Sequence, residues 1–218
     1  MSNLQLVALA AYGILLWVVY QRFDAITLVR ERSRAAAFFN SFVLLLIMWL
    51  FRLKTELGPD IHFLLTSALT LTLGFRGAVL CASLVLFTLL LAGQQLWAQA
   101  GVLGLTSIAA PICVTYSIYA LTFHKIPRHF LVYIFACAFI PAALGIALHM
   151  GLYAGYLALD GIYHFDLLQD NYLGVIPLLL FPEALLNGMA MTLLVLYKPQ
   201  WVYTFSDKLY FDVKDDQD

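Results

Sequence analysis

Seven apolar runs, each bounded by charged or turn-forming residues, take up most of this chain and leave it little to fold into except a bundle of membrane helices. They are Leu4–Tyr20, Ala36–Phe51, His62–Gly74, Gly77–Gly93, Gly101–Phe123, His129–Leu159 and Tyr172–Tyr197. A spanning helix needs about 20 mostly apolar residues, because the hydrocarbon core is about 30 Å thick. The third run is short for that length. It reads as a full crossing, a half-span or a re-entrant element, and the last two are tolerated only where the backbone is buried in protein. The sixth run is longer than a crossing needs and is expected to tilt or project. Hydrophobic residues make up 63% of the chain and charged residues 11%. A soluble fold would lack the charge to clothe its surface. The expected fold class is therefore all-α, a polytopic bundle of six to seven transmembrane helices.

The charges set an orientation. If all seven runs cross, one side of the membrane collects Arg22, Arg30, Arg32, Arg34, Arg76, Lys125, Arg128, Lys198, Lys208 and Lys214, and the other only Arg52 and Lys54. Positively charged connections stay in the cytoplasm. The N-terminus is therefore expected outside and the C-terminus in the cytoplasm. Dropping the third crossing would blur this bias. The first run has no basic residue before it and no persuasive cleavage site after it, so it reads as a retained span. Residues 1–204 are expected to form a single transmembrane domain, and residues 205–218 a polar, acidic cytoplasmic tail.

Enzyme signatures are missing: the chain has no phosphate-cradling G-x-x-x-x-G-K-[ST], no H-E-x-x-H and no G-x-S-x-G. No enzymatic activity, catalytic residue or bound cofactor is expected, and no basic stripe invites nucleic acid. Cys81, Cys113 and Cys137 all sit in apolar runs without a C-x-x-C partner and read as small buried hydrophobes.

What remains is a short set of polar side chains in costly places. Glu183 follows Pro182 about 11 residues into the last run, roughly 16 Å deep. A carboxylate there costs at least about 2.5–3.5 kcal/mol and usually faces the bundle interior with a partner. Asn187 and Met191 continue its helical face. Two readings stand side by side: a hydrogen-bonded group gluing helices together, and an ion ligand or proton carrier. His62 opens the third run just after Asp60. His149 lies about 20 residues into the sixth run, about 30 Å across the membrane from its start, and so at the depth of His62. Asp60, Met150 and Asp160 are close in sequence, and imidazole with carboxylate or thioether suits nickel, cobalt, copper or zinc. A lone interfacial histidine is more often a polar anchor, but two at one depth favour a site. The metal-ligand candidates are thus His62, His149, Asp60, Met150 and Glu183.

The stretch from His62 to Tyr119 resembles the substrate-capture membrane subunit of cobalt and nickel transporters of the energy-coupling-factor type. The resemblance is carried by the small-residue run from His62 to Gly74 and by Leu89–Leu96 with its Ala92-Gly93-Gln94-Gln95. Gly104 through Ala110-Pro111 and then Tyr116-Ser117-Ile118-Tyr119 complete it. It covers about a quarter of the chain well. In that family a histidine at the place of His62 binds metal, while Met-His at the N-terminus supplies further ligands. Here the chain begins Met1-Ser2-Asn3, and the family's Gly/Asn-rich segment before the fifth span is Gln94–Gly101. The usual square-planar set is incomplete.

The resemblance implies a permease subunit of the bacterial inner (plasma) membrane that binds a divalent transition-metal ion from the outer side. Nickel, cobalt or copper would be the substrate. Uptake would be powered by a coupling membrane subunit and separate ATPase subunits, since no ATP site exists in this chain. The alternative function is a non-transporting metal chaperone, or an assembly factor for a respiratory complex.

Overall fold

A computed structural model of the chain describes residues 1–54, 58–125 and 130–205. It is an all-α bundle with six helices long and apolar enough to cross a membrane. The long elements are α1 (Asn3–Gln21), α3 (Arg32–Leu50), α4 (Thr66–Leu91), α5 (Trp97–Thr122), α6 (Phe130–Leu159) and α8 (Ile176–Tyr197). Two short helices join them, α2 (Ala25–Arg30) and α7 (Phe165–Asn171). Among the described residues the only extended pairing is one antiparallel bridge, Leu53 to Ile61. This follows from the solvent: in hydrocarbon, backbone N–H and C=O groups must be satisfied within the protein, and a helix does that within one segment.

The third and fourth apolar runs are joined in a single helical element, α4, but they do not form one straight helix. Gly74, at φ 72° and ψ 170°, is non-helical inside α4 and divides it into two arms. The arms run in opposite directions. Just beyond the end of α4, the Gln94 carbonyl accepts from Arg52 Nη1 at 3.2 Å. Just before its start, the Leu64 carbonyl accepts from Trp49 Nε1 at 3.2 Å. Both ends of α4 therefore lie beside the same end of α3, which a straight helix of 26 residues (about 39 Å) cannot do. At the bend, Gly74 lies against the Tyr203 ring and Arg76 Nη1 donates to the Arg22 carbonyl at 2.6 Å. The chain thus makes seven passes, with Gln5 at one end of the bundle and Tyr203 at the other. The third pass differs from a regular helix from His62 onward. Residues Ile61–Leu65 enter without helical structure, and the first arm begins only at Thr66.

That first arm spans about 12 Å and is buried along nearly its whole length. A short buried helix leaves its terminal N–H and C=O groups without partners unless something meets them. Tyr203 and Thr204 N–H donate to the Thr72 and Leu71 carbonyls at 3.0 and 3.2 Å, and Thr204 Oγ1 donates to Leu71 at 2.8 Å. The last stretch of chain therefore caps the arm's C-terminal end. Gly74 is required by the bend itself, because its φ and ψ fall in a region essentially closed to other residues. A Cβ added there would sit 3.0 Å from the Tyr203 ring. Gly74→Ala is expected to cost about 1–3 kcal/mol, read as a lower thermal midpoint in detergent with no change in helical content.

Helices α5 and α6 each contain a wide π turn, Gly104–Ala109 and Tyr133–Phe139, and each turn ends two residues before a proline, Pro111 and Pro141. A proline lacks the N–H of the regular ladder and its ring crowds the carbonyl four residues back. The wider turn relieves that clash. In α5 it also sets Ser107 against His149 of α6. Helix α1 packs closely on the start of α5: a Cβ at Gly101 would fall into the backbone of Leu9. Of the expected tail 205–218, Phe205 packs on the Tyr133 ring at 5.3 Å. Residues 206–218 lie outside the described residues.

Candidate metal-capture site

A cavity of about 370 Å³ opens at the end of the bundle that carries Gln5 and Asp160. His62 and His149 both line it, with ring centroids 6.1 Å apart and planes at 65°. The equal depth expected from helix arithmetic is therefore a direct pairing. His62 reaches it from the non-helical stretch before Thr66. Trp49 fixes that stretch twice, edge-on against the His62 ring at 5.4 Å and through its indole N–H to the Leu64 carbonyl. His149 projects from the middle of α6 and is 4% exposed. Its Nδ1 lies 3.3 Å from Ser107 Oγ, presented by the π turn of α5, and its other neighbour is the stacked Tyr153 ring at 5.9 Å. Tyr153 is held in turn by its hydroxyl, which donates to Gln99 Oε1 at 3.2 Å.

A hydrogen bond to one ring nitrogen fixes orientation and tautomer and leaves the other nitrogen for a metal. The pair thus offers two imidazole donors of the kind that nickel, cobalt, copper and zinc accept. Among the described residues no group of three or more His, Cys, Asp or Glu side chains gathers to complete a cage. Positions on an ion held here would remain open to water or to an incoming ligand.

The five candidates from the sequence divide three to two. Asp60 lines the cavity with the two histidines. Met150 does not; it is 1% exposed and packs in the main apolar core. Glu183 also lies apart from the cavity lining, and its polar contacts are now visible. Its Oε2 accepts from Leu64 N–H at 2.9 Å and its Oε1 from Leu65 N–H at 2.8 Å. Asn187 Nδ2 donates to the same Oε1 at 2.9 Å, while Asn187 Oδ1 accepts from Ala68 N–H at 2.8 Å. Together the two side chains cap the N-terminal end of the buried arm, where Leu65 sits at φ 51°. They anchor the backbone two residues from His62.

Sequence reasoning passed over several cavity residues. Arg52 is one: burial pulls its guanidinium below its ordinary value, opposed by the Asp60 carboxylate and Tyr153. Gln94, Gln95 and Gln99 are others. The available signals were the isolation of Arg52 on the less basic side and the glutamines replacing a Gly/Asn-rich segment.

Residues 2–201 match the family model described as the cobalt uptake substrate-specific transmembrane region. No curated protein sequence matches the chain. Two solved structures share its fold. A truncated transition metal transporter superposes with a TM-score of 0.74 at 18% identity, covering 88% of this chain and 94% of that one. A transition metal transporter superposes with a TM-score of 0.73 at 19% identity, covering 88% of each chain.

Proposed function

Since the chain belongs to the cobalt uptake substrate-specific transmembrane family, and is thus a multi-pass membrane component of metal uptake rather than an enzyme, we propose that it captures a divalent transition-metal ion from the outer side. The observation that carries this reading is the His62–His149 pair facing one cavity. In this proposal the two imidazoles are the primary ligands and Asp60 draws cations to the mouth. Met150 and Glu183 are assigned the supporting roles their surroundings favour, core packing and anchoring of the His62 stretch. Nickel, cobalt and copper all suit two imidazoles with open positions.

The side of capture follows from charge. The cavity lies at the end of the bundle carrying Arg52, opposite the end where Arg22, Arg34 and Arg76 surround a second cavity of about 510 Å³. The positive-inside rule supports the reading that this basic end faces the cytoplasm of a bacterial cell. It is the natural face for a coupling membrane subunit and its ATPases, which would supply the energy. The basic segments around Arg30–Arg34 and Lys125–Arg128 are the candidate docking surfaces, and of the second, residues 126–129 lie outside the described residues.

Purified protein incubated with nickel, cobalt, copper or zinc and desalted is expected to retain about one ion per chain by elemental analysis. Cells are expected to accumulate that metal only when the chain is expressed with ATPase subunits. Metal at background in every case would overturn the proposal.

A further inference from the structure

The capture cavity is larger than a bare ion needs, and one wall carries the wrong charge for one. Its volume of about 370 Å³ falls within the range of small-molecule sites, about 300–1,000 Å³, whereas a water molecule takes about 30 Å³. The protein supplies two imidazoles and, among the described residues, no cluster of three ligating groups.

Arg52 supplies the charge. Its Nε donates to the Trp49 carbonyl at 2.9 Å and its Nη1 to the Gln94 carbonyl at 3.2 Å. The Gln95 amide, with its oxygen turned toward the guanidinium, accepts from Nη1 and Nη2. The guanidinium is thus held by neutral acceptors, and it lines the same cavity as His62. Asp60 lines the same cavity, yet among the described residues the only salt bridge is Arg34 to Glu31, on α2–α3. A fixed cation beside the ligands repels a naked dication. The same charge attracts a carboxylate, which can take a charge-assisted hydrogen bond from the remaining Nη2 hydrogen. Gln94, Gln95, Gln99 and Tyr163 add neutral hydrogen-bonding groups beside the apolar Leu96, Leu103, Leu157 and Ile162, a mixed lining of the kind that holds a small organic molecule.

Resting on the reading of this cavity as a metal-capture site, we propose that its preferred cargo is a divalent metal already complexed by a small carboxylate-bearing chelator. His62 and His149 fill coordination positions that the chelator leaves open, and Arg52 grips a carboxylate of the chelator. A chelate of this kind carries less net positive charge than the free ion, which removes the conflict with Arg52. It also accounts for the size of the cavity and for a protein ligand set that stops at two.

The test is calorimetric titration of the full-length protein in lipid nanodiscs with nickel chloride and with the preformed 1:1 nickel–citrate complex. Wild type is expected to bind nickel citrate at least about 10-fold more tightly than nickel alone, the lower end of what a charge-assisted hydrogen bond supplies. Arg52→Gln keeps an amide donor at the place of Nε, for the Trp49 carbonyl. It is expected to erase that preference while leaving affinity for nickel alone unchanged or raised. Should Arg52→Gln fail to fold by thermal unfolding, Arg52→Lys, which keeps the charge and loses the guanidinium donors, is expected to lower the preference. Nickel alone binding as tightly as the complex in wild type would overturn the proposal. So would a folded Arg52 variant that weakens both forms equally. His62→Ala separates the two levels of the argument: loss of both forms with no chelate preference in wild type leaves metal capture standing and removes the chelator. Binding of both forms indifferent to His62→Ala removes metal capture itself, and the chelate proposal with it.

Discussion

Alanine at His62 or at His149 is expected to lower the affinity of the protein for nickel or cobalt by more than about 100-fold. Losing only an outer-shell partner typically costs about 10–100-fold, and each of these side chains is half of the protein's imidazole supply at the cavity. The two losses should not add. With one imidazole gone the ion is no longer held between α6 and the stretch before Thr66, so the double variant should resemble either single one. Ser107→Ala, which leaves the ligands and removes only the contact to His149 Nδ1, should cost about 10-fold. Equilibrium dialysis with elemental analysis measures all five proteins under one condition. A graded order of wild type, Ser107→Ala, then the histidine variants is the expected result. Affinities equal across the set would mean that the metal sits elsewhere. Thermal unfolding of the apo proteins should shift little for His62→Ala, because that ring is only half-buried.

The parts of this site that were legible in the sequence are those governed by local geometry. Apolar runs bounded by charges gave the passes, and the residue counts to His62 and His149 gave their common depth. The four-residue spacing from Glu183 to Asn187 placed them on one face, where they now share a hydrogen bond. Met150 was also within reach of the same reasoning. It follows His149 by about 100° of helical rotation, so a cavity on one side of α6 admits one of them. Tertiary partners decided the rest. Residues 62–65 have the apolar character of a helix start, yet they are non-helical, because Glu183 from α8 offers their N–H groups an alternative to the helical ladder. Arg52 entered the charge count only as one of two cations on the less basic side; the Trp49 and Gln94 carbonyls fix it as a cavity wall. Pairings more than 100 residues apart leave no periodic trace in either segment.

Removing the Glu183 carboxylate is expected to be the most destabilising single change in the bundle. Glu183 is 1% exposed and accepts three hydrogen bonds, two of them from backbone N–H groups that have no helical partner. A buried donor left unpaired costs about 1–3 kcal/mol. Side-chain bonds between membrane helices average less, about 0.6 kcal/mol, because the unfolded chain in the bilayer finds substitutes. Backbone N–H groups in a non-helical stretch can regain partners only by moving, and moving would carry His62 with them. The loss for Glu183→Ala is therefore placed at about 2–4 kcal/mol. Asn187→Ala, which strands Ala68 N–H, should cost about half as much. Glu183→Gln is the sharper probe. Its amide keeps one oxygen but turns an NH2 group toward a backbone N–H, so it should recover no more than part of the loss. Thermal unfolding in one detergent, with Leu178→Ala on the exposed face of α8 as reference, ranks these variants. A residue that carried a proton or an ion would behave in the opposite way: glutamine would preserve the fold and abolish transport. If Glu183→Gln proves as stable as wild type, the carboxylate is not the anchor of the third pass, and the position of His62 must be explained by Trp49 alone.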